Sequence, residues 1–259
     1  MRSTSLAIRL TIGGLTVVMF WTMTDRGGSQ RIPRPASARA GRAPAWAHVE
    51  PADRRFSLAD VRTAALTSAA PRRVEAPSTA RPAAVLVAFF EEEHEARVIL
   101  TKRPETMPSH QGEIAFPGGK FEPGVDGNLK DTALREAHEE IGLDPAHVEV
   151  VAELTSMTTV AGRFVLTPFV GLLDRRPDLA PDFSEVVSVF DVSISELLDD
   201  AAYREERWDL PAALGPVALG PEAGLDRPIH FFELPGETVW GATARILSDF
   251  LEHLVTTTR

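Results

Sequence analysis

Apolar and polar positions divide this chain into short stretches of differing period. AAVLVAFF, Ala83 to Phe90, is continuously apolar between Pro82 and the charged EEEHE, and predicts a buried strand followed by a turn. ARVILTKR supplies its partner, and GEIAFPGG, VEVVAELTSM, FVLTPFVGLL and EVVSVFDVS predict further strands. Helical spacing appears three times. SLADVRTAALTSA, Ser57 to Ala69, offers Ser57 as an N-cap and sets Leu58, Val61, Ala65 and Leu66 on one side. A second helix starts at an Asn128 cap and stops at Gly142, and a third is VWGATARILSDFLEHL near the C-terminus. Strands and helices mix without strict alternation or internal repeat, so the expected fold class is α+β, a sandwich built on a mixed sheet.

The N-terminal third differs. LTIGGLTVVMFWTM, Leu10 to Met23, is an apolar run following Arg2 and Arg9. It is shorter than the ~20 residues that cross a bilayer core, and no small-x-small cleavage site follows it. Three readings stay open for residues 1–23: a start placed too early, with Met23 the true beginning, a weak membrane anchor, or an export signal. Residues 24–56 are rich in Arg, Pro and Ala without periodicity and are expected to be a disordered linker. The catalytic domain is expected over 57–259, with its core over about 82–255 and a second breaker-rich stretch, RRVEAPSTARP, between the first helix and that core.

The 259 residues suffice for one good core. Absence of cysteine excludes disulfides, a thiol nucleophile and Cys-ligated zinc. A net charge of −10 hides an asymmetry: residues 1–82 carry 13 Arg and 5 acids, whereas the rest carries 14 basic and 32 acidic residues. The acidic part repels a nucleic-acid backbone, so no nucleic-acid partner is expected.

The stretch GGKFEPGVDGNLKDTALREAHEEIGL, Gly118 to Leu143, concentrates the chemistry. At about 100° per residue, Glu140 and Glu139 fall within about 60° of Glu136, while Ala137, Ile141 and Leu134 fall on the far side. Three ionised carboxylates at i, i+3 and i+4 repel one another. Such a cluster is either a solvated face or a site for a hard cation such as Mg²⁺ or Mn²⁺, which takes oxygen ligands and leaves room for substrate phosphates. FPGGK, Phe116 to Lys120, lies just upstream and lets the backbone turn sharply and expose peptide groups.

Together the two pieces resemble the signature of the Nudix hydrolases, G-x5-E-x7-R-E-U-x-E-E-x-G-U with U apolar. Arg135, Glu136, Ala137, Glu139, Glu140, Gly142 and Leu143 match its second half; Gly127 stands where the first half has Glu, and Phe121 where it has Gly. These departures are themselves similar to the coenzyme A pyrophosphatase branch, in Gly118, Gly119, Lys120, Glu122, Pro123 and Thr132 to Glu140. That branch's second pattern is met by Leu100, Thr101, Arg103, Gly112, Phe116, Pro117, Gly118 and Gly119, with Ile99, Pro104 and Pro108 departing from it. Weaker likeness extends to RPAAVLVAFF, SEVVSVFDVSISELL and GETVWGATARIL.

The resemblance implies an α/β/α sandwich and a metal-dependent diphosphatase. Glu136, Glu139, Glu140 and the Gly119 carbonyl would hold Mg²⁺ or Mn²⁺, with Arg135 orienting the carboxylates unless it forms an ordinary surface ion pair. The general base would be Glu139, Glu140 or, from a later loop, Glu185. Arg103, Gly112, Phe116 and Lys120 would meet the substrate, and His110 could touch phosphate. Trp240 would pack on a base or pantetheine arm, or else in the core with Ile246 and Phe250. The implied reaction splits coenzyme A or acyl-CoA into 3′,5′-ADP and a 4′-phosphopantetheine fragment. Other nucleoside diphosphate derivatives (ADP-ribose, a dinucleotide polyphosphate, a damaged nucleotide) and a Nudix-fold sensor without turnover are the alternatives. A cytoplasmic location follows, with a small nucleotide as partner, a homodimer admitted, and membrane contact only through the N-terminal segment.

Overall fold

The computed structural model describes residues 6–12, 15–21, 26–30, 32–72, 78–105, 111–159, 163–209 and 226–258. In chain order the first strands are β1 (Leu6–Ile12), β2 (Leu15–Trp21), β3 (Arg39–Ala40), β4 (Arg81–Glu92), β5 (Glu95–Lys102), β6 (Ile114–Ala115) and β7 (Gly118–Lys120). There follow β8 (Glu149–Glu153), β9 (Met157–Thr158), β10 (Phe164–Leu172), β11 (Ser188–Ser193), β12 (Tyr203–Trp208), β13 (Arg227–Leu234) and β14 (Glu237–Trp240). The helices are α1 (Leu58–Thr67), α2 (Leu129–Ile141), α3 (Ile194–Leu197) and α4 (Gly241–Thr258).

The continuous apolar run of β4 is explained by burial on two sides. Ala84, Leu86, Ala88 and Phe90 point to one core, shared with Ala133, Ala137 and Ile141 of α2. Val85, Val87 and Phe89 point to the other, shared with Val61 of α1 and Leu247, Phe250 and Leu254 of α4. The main sheet therefore lies between α2 on one face and α1 with α4 on the other. Its strand order is β2-β1-β11-β5-β4-β10-β8, and because β10 runs parallel to β4 while its other pairings are antiparallel, the sheet is mixed. The α+β class and mixed-sheet sandwich are thus realised. A second, antiparallel sheet, β14-β13-β12-β3, packs against α4 and α3.

The structure differs from several of these expectations. Of the Leu10 to Met23 run, residues 10–12 lie in β1 and 15–21 in β2, two antiparallel strands with β1 beside β11, and no described helix is long and apolar enough to cross a membrane. The described part of 24–56 is not a bare linker. Trp46 and Phe56 are buried in the core, Trp46 lies 4.9 Å from Tyr203 and 6.4 Å from Phe232, and β3 pairs with β12. Buried Arg54 donates to the carbonyls of Val49 and Leu198 at 2.8 and 2.7 Å. Isolated anchors of this kind leave no periodic trace. GEIAFPGG forms two very short strands split at Phe116 and Pro117, since Pro117 has no N–H to offer a ladder. The C-terminal helix begins at Gly241, so Trp240 closes β14 beside Trp208, ring centres 6.4 Å apart, and helical spacing to Ile246 and Phe250 does not apply.

Between β12, β13 and α4 lies a buried polar chain: Tyr203 Oη and His230 Nδ1 are 2.7 Å apart, and Ser248 Oγ donates to Tyr203 Oη at 3.5 Å. Burial lowers the His230 pKa to about 4, with Glu205 opposing and Arg245 and Arg207 reinforcing that shift. A depressed imidazole contributes stability that is full above its unfolded value near 6.5 and is lost as pH falls toward 4. Urea titrations should therefore show wild type losing on the order of 3 kcal/mol more than His230→Gln between pH 7 and pH 4. Parallel losses in the two proteins would contradict this.

Candidate active site

The site is assembled where β7 meets α2. Gly118 and Gly119 pair with Val85 and Ala84 of β4. A Cβ on Gly118 would strike the Ala84 carbonyl oxygen, and one on Gly119 would land on the Glu136 carboxylate. Glycine is required there because the strand behind and the helix in front leave no space for a side chain. Helix α2 begins at Asn128, whose Oδ1 accepts from the Lys130 and Asp131 amides at 2.9 and 3.1 Å. It ends at Gly142, φ +68°, which abuts the backbone of Ala180. The expected cap and stop are both present.

Arg135 is the hub. Its Nε donates to Asp126 Oδ1 at 2.8 Å and Nη2 to Asp126 Oδ2 at 3.1 Å. It also reaches Glu136 at 3.0 Å, Glu139 at 2.7 Å and the Lys120 carbonyl at 3.2 Å. With its side chain only 19% exposed, it is not an ordinary surface pair. Asp126 also accepts from Thr132 Oγ1 at 2.9 Å and the Glu122 amide at 2.8 Å. This donor array, the Arg135 hydrogen bond first, lowers the Asp126 pKa to about 2. Sequence reasoning missed Asp126. The signal was an acid one position before Gly127, the point at which the signature calls for Glu.

Glu140 is buried, accepts from the Gly118 amide at 3.0 Å and lies 3.8 Å from Arg103. Burial pushes its pKa up to about 7 against the opposing pull of Gly118 and Arg103, and Glu136 and Glu185 push the same way as burial. Glu136 is raised too, mainly by burial, and the Glu185 charge acts on it as well. Exposed Glu185 sits on a loop tied to the end of α2, where the Asp182 amide donates to the Glu140 carbonyl and Ala180 to that of Ile141, each at 2.9 Å.

Arg103, Arg135, Glu136, Glu139, Glu140, Gly119 and the Lys120 backbone are therefore brought together, with Glu185 close enough to perturb two of the carboxylates. Two expected substrate residues stand apart. Phe116 is 3% exposed in the α4-side core, its side chain turned away from α2 by the alternation of the strand path, and Gly112 occupies a turn facing Glu105. The Lys120 ammonium lies 5.9 Å from the Phe164 ring centre. His110 and Pro108 fall outside the described residues. Among the described residues no three acidic or imidazole groups converge on one point as they stand. Glu139 faces Arg135 and Glu140 faces Gly118, so gathering the carboxylates on one ion calls for side-chain rotation.

A helix carrying three carboxylates, locked by an arginine against a glycine loop on a mixed sheet, defines a class, and comparison with known proteins agrees. The family model of the NUDIX domain matches residues 80–211, and the chain belongs to that family. It is 40% identical over 181 residues to Nudix hydrolase 22, chloroplastic, of Arabidopsis thaliana, covering 66% of this chain and 55% of that protein. It is 36% identical over 171 residues to the uncharacterized Nudix hydrolase NudL of Enterobacter sp., covering 65% and 80%. The match thus spans little more than half of the plant relative. Among solved structures, the NUDIX domain of Shewanella oneidensis NrtR complexed with ADP ribose aligns with TM-score 0.40 at 19% identity, over 47% of this chain and 78% of that one. A MutT/nudix family protein from Enterococcus faecalis aligns with TM-score 0.45 at 17% identity, over 78% and 70%.

Proposed function

We propose that the chain is a divalent-cation-dependent diphosphatase that cleaves the phosphoanhydride of coenzyme A or acyl-CoA, giving 3′,5′-ADP and an (acyl-)4′-phosphopantetheine. The supporting observation is the meeting of Gly119, Glu136 and Glu140 beneath Arg103 and Arg135. The donor set fits Mg²⁺ or Mn²⁺: all its ligands are hard oxygens. Two of its carboxylates are held above their ordinary pKa by burial, as expected of a cluster short of positive charge. Glu136, Glu139, Glu140 and the Gly119 carbonyl would hold the ion, which supplies polarisation of the phosphorus centre and neutralisation of the leaving phosphate.

The protein's own groups do the rest. Arg135, fixed by Asp126, sets the rotamers of Glu136 and Glu139. The Gly118 amide and Arg103 set Glu140. Arg103 and Lys120 bind the phosphate oxygens, the guanidinium as a fork and the ammonium as a point charge. A carboxylate takes the proton of the attacking water as its oxygen bonds phosphorus and the bridging P–O bond breaks. Exposed Glu185 is suited to this step because its charge already acts on Glu136 and Glu140 from the loop beside α2. The partner proposed is a small nucleotide, and the compartment proposed is the cytoplasm.

The branch motifs around Leu100 to Gly119 and Gly118 to Glu140 favour coenzyme A. Purified protein with Mg²⁺ or Mn²⁺ should release 3′,5′-ADP from CoA faster than it cleaves ADP-ribose, NADH, Ap4A or nucleoside triphosphates, with products resolved by mass. Preference for another of these retains the chemistry and replaces the substrate. Binding without turnover of any would identify a sensor and end this reading.

A further inference from the structure

We infer that residues 26–30 form a clasp that positions the substrate-facing end of β5, acting through Gln30, Glu237 and Lys102. Glu237 is divided between two partners: Oε1 accepts from Lys102 Nζ at 2.6 Å and Oε2 from Gln30 Nε2 at 3.0 Å. The Gln30 amide also imitates a strand neighbour. Its Nε2 donates to the Thr238 carbonyl at 3.2 Å, and its Oε1 accepts from the Thr238 amide at 3.3 Å. The backbone before it is tied down as well, Gly27 N to the Leu234 carbonyl at 2.8 Å and Gly28 N to Thr238 Oγ1 at 2.9 Å. Arg26 bridges to Asp199 at 3.2 Å.

What the clasp holds is the point where both arms of the catalytic loop diverge. Lys102 is paired with Ile114 of β6 on one side and Ser188 of β11 on the other. Its carbonyl accepts from Val187 N at 2.7 Å, and the next amide, Arg103 N, donates to the Glu113 carbonyl at 3.0 Å. One arm therefore carries Arg103 toward Glu140, and the other leads from Ile114 through Pro117 into Gly118 and Gly119. The Lys102–Glu237 pair is about three-quarters buried on both sides, which reduces screening by solvent and salt relative to an exposed pair. A segment whose composition suggests a loose linker is thereby coupled to the site without touching it.

The turnover arm of the test rests on the proposed diphosphatase reading; the exchange arm does not. In the full chain, Glu237→Gln and Gln30→Ala should each accelerate amide hydrogen exchange about fivefold at Lys102, Arg103, Ile114 to Phe116, Gly118 and Gly119, leaving β10 and α4 unchanged. KM for the cleaved nucleotide should rise about fivefold with kcat within twofold, since Arg103 is a binding rather than a reacting group. The double variant should show less than the sum of the two single effects, because Gln30 and Lys102 share the Glu237 carboxylate. Uniform acceleration across all strands, or additive effects of the two changes, would assign the contact to general stability and overturn the clasp. If wild type cleaves no nucleotide, the diphosphatase reading fails and the exchange pattern still decides the clasp.

Discussion

Glutamine at position 140 should reduce nucleotide turnover by at least about a thousandfold while making the ion-free protein more stable above neutral pH. The two effects share one cause. Glu140 is 3% exposed, and burial holds its pKa near 7, so keeping it ionised at pH 8 works against folding. A carboxyl raised in the folded state binds more protons folded than unfolded. Its contribution is therefore favourable below the unfolded value of 4.5 and declines as pH rises through about 7. Glutamine keeps an oxygen for the Gly118 amide, 3.0 Å away, and removes the charge. In EDTA at pH 8 the variant should gain roughly 2 kcal/mol in urea unfolding, with the advantage vanishing near pH 5. With Mn²⁺ present the ranking should invert, because wild type alone gains the linkage stabilisation of a bound ion. Calorimetric Mn²⁺ titration checks this without reference to catalysis. Equal Mn²⁺ affinity and equal turnover in both proteins would remove Glu140 from the site.

Much of this geometry was legible in the chain because it is local. The apolar side of α2, its Asn128 cap and its Gly142 stop depend on spacing within one helix, and all three are realised. The same is true of Ser57, which caps α1 in a reciprocal capping box with Asp60. What escaped is non-local. Strand β12, YREERW, presents charge at most positions. Its burial is supplied by partners from elsewhere in the chain, Arg34 on Glu206 and the Phe231 ring beneath Arg204. Residues 26–56 escaped for the same reason: Trp46 earns its place in the core through Tyr203 and Phe232, more than 150 residues on. Phe116 shows the converse case. A residue placed by motif alone was expected at the substrate, while the path of the strand turns it to the opposite core. Asp126 lay one residue away from a pattern position, and only the folded loop reveals that its two oxygens take the Nε–Nη2 edge of Arg135.

Asp126→Asn should be nearly as damaging as truncation, although it changes one atom. The side chain is 2% exposed and meets donors only: Arg135 Nε on Oδ1, and Arg135 Nη2, Thr132 Oγ1 and the Glu122 amide on Oδ2. An asparagine must turn its NH₂ toward one of these sets, so at least one buried donor loses its acceptor and faces another donor. Breaking a buried charge pair on one side costs about 3–5 kcal/mol, part of which Arg135 recovers through Glu136 and Glu139; a net loss of roughly 2–3 kcal/mol is expected. Wild type has the matching acid signature. With Asp126 depressed to about 2, its contribution is complete above its unfolded value of 3.8 and disappears as pH falls through 2. The functional consequence follows from the same fork. Without Asp126, the guanidinium is held only by Glu136 at 3.0 Å, Glu139 at 2.7 Å and the Lys120 carbonyl, and it is drawn onto the carboxylates it should orient. Turnover and Mn²⁺ affinity should each drop by about 10- to 100-fold, the range for losing a group that supports metal ligands from behind. Stability and Mn²⁺ binding must fall together here, whereas in Glu140→Gln they move in opposite directions. Unchanged urea unfolding with wild-type turnover in Asp126→Asn would show that Arg135 is positioned by the helix alone.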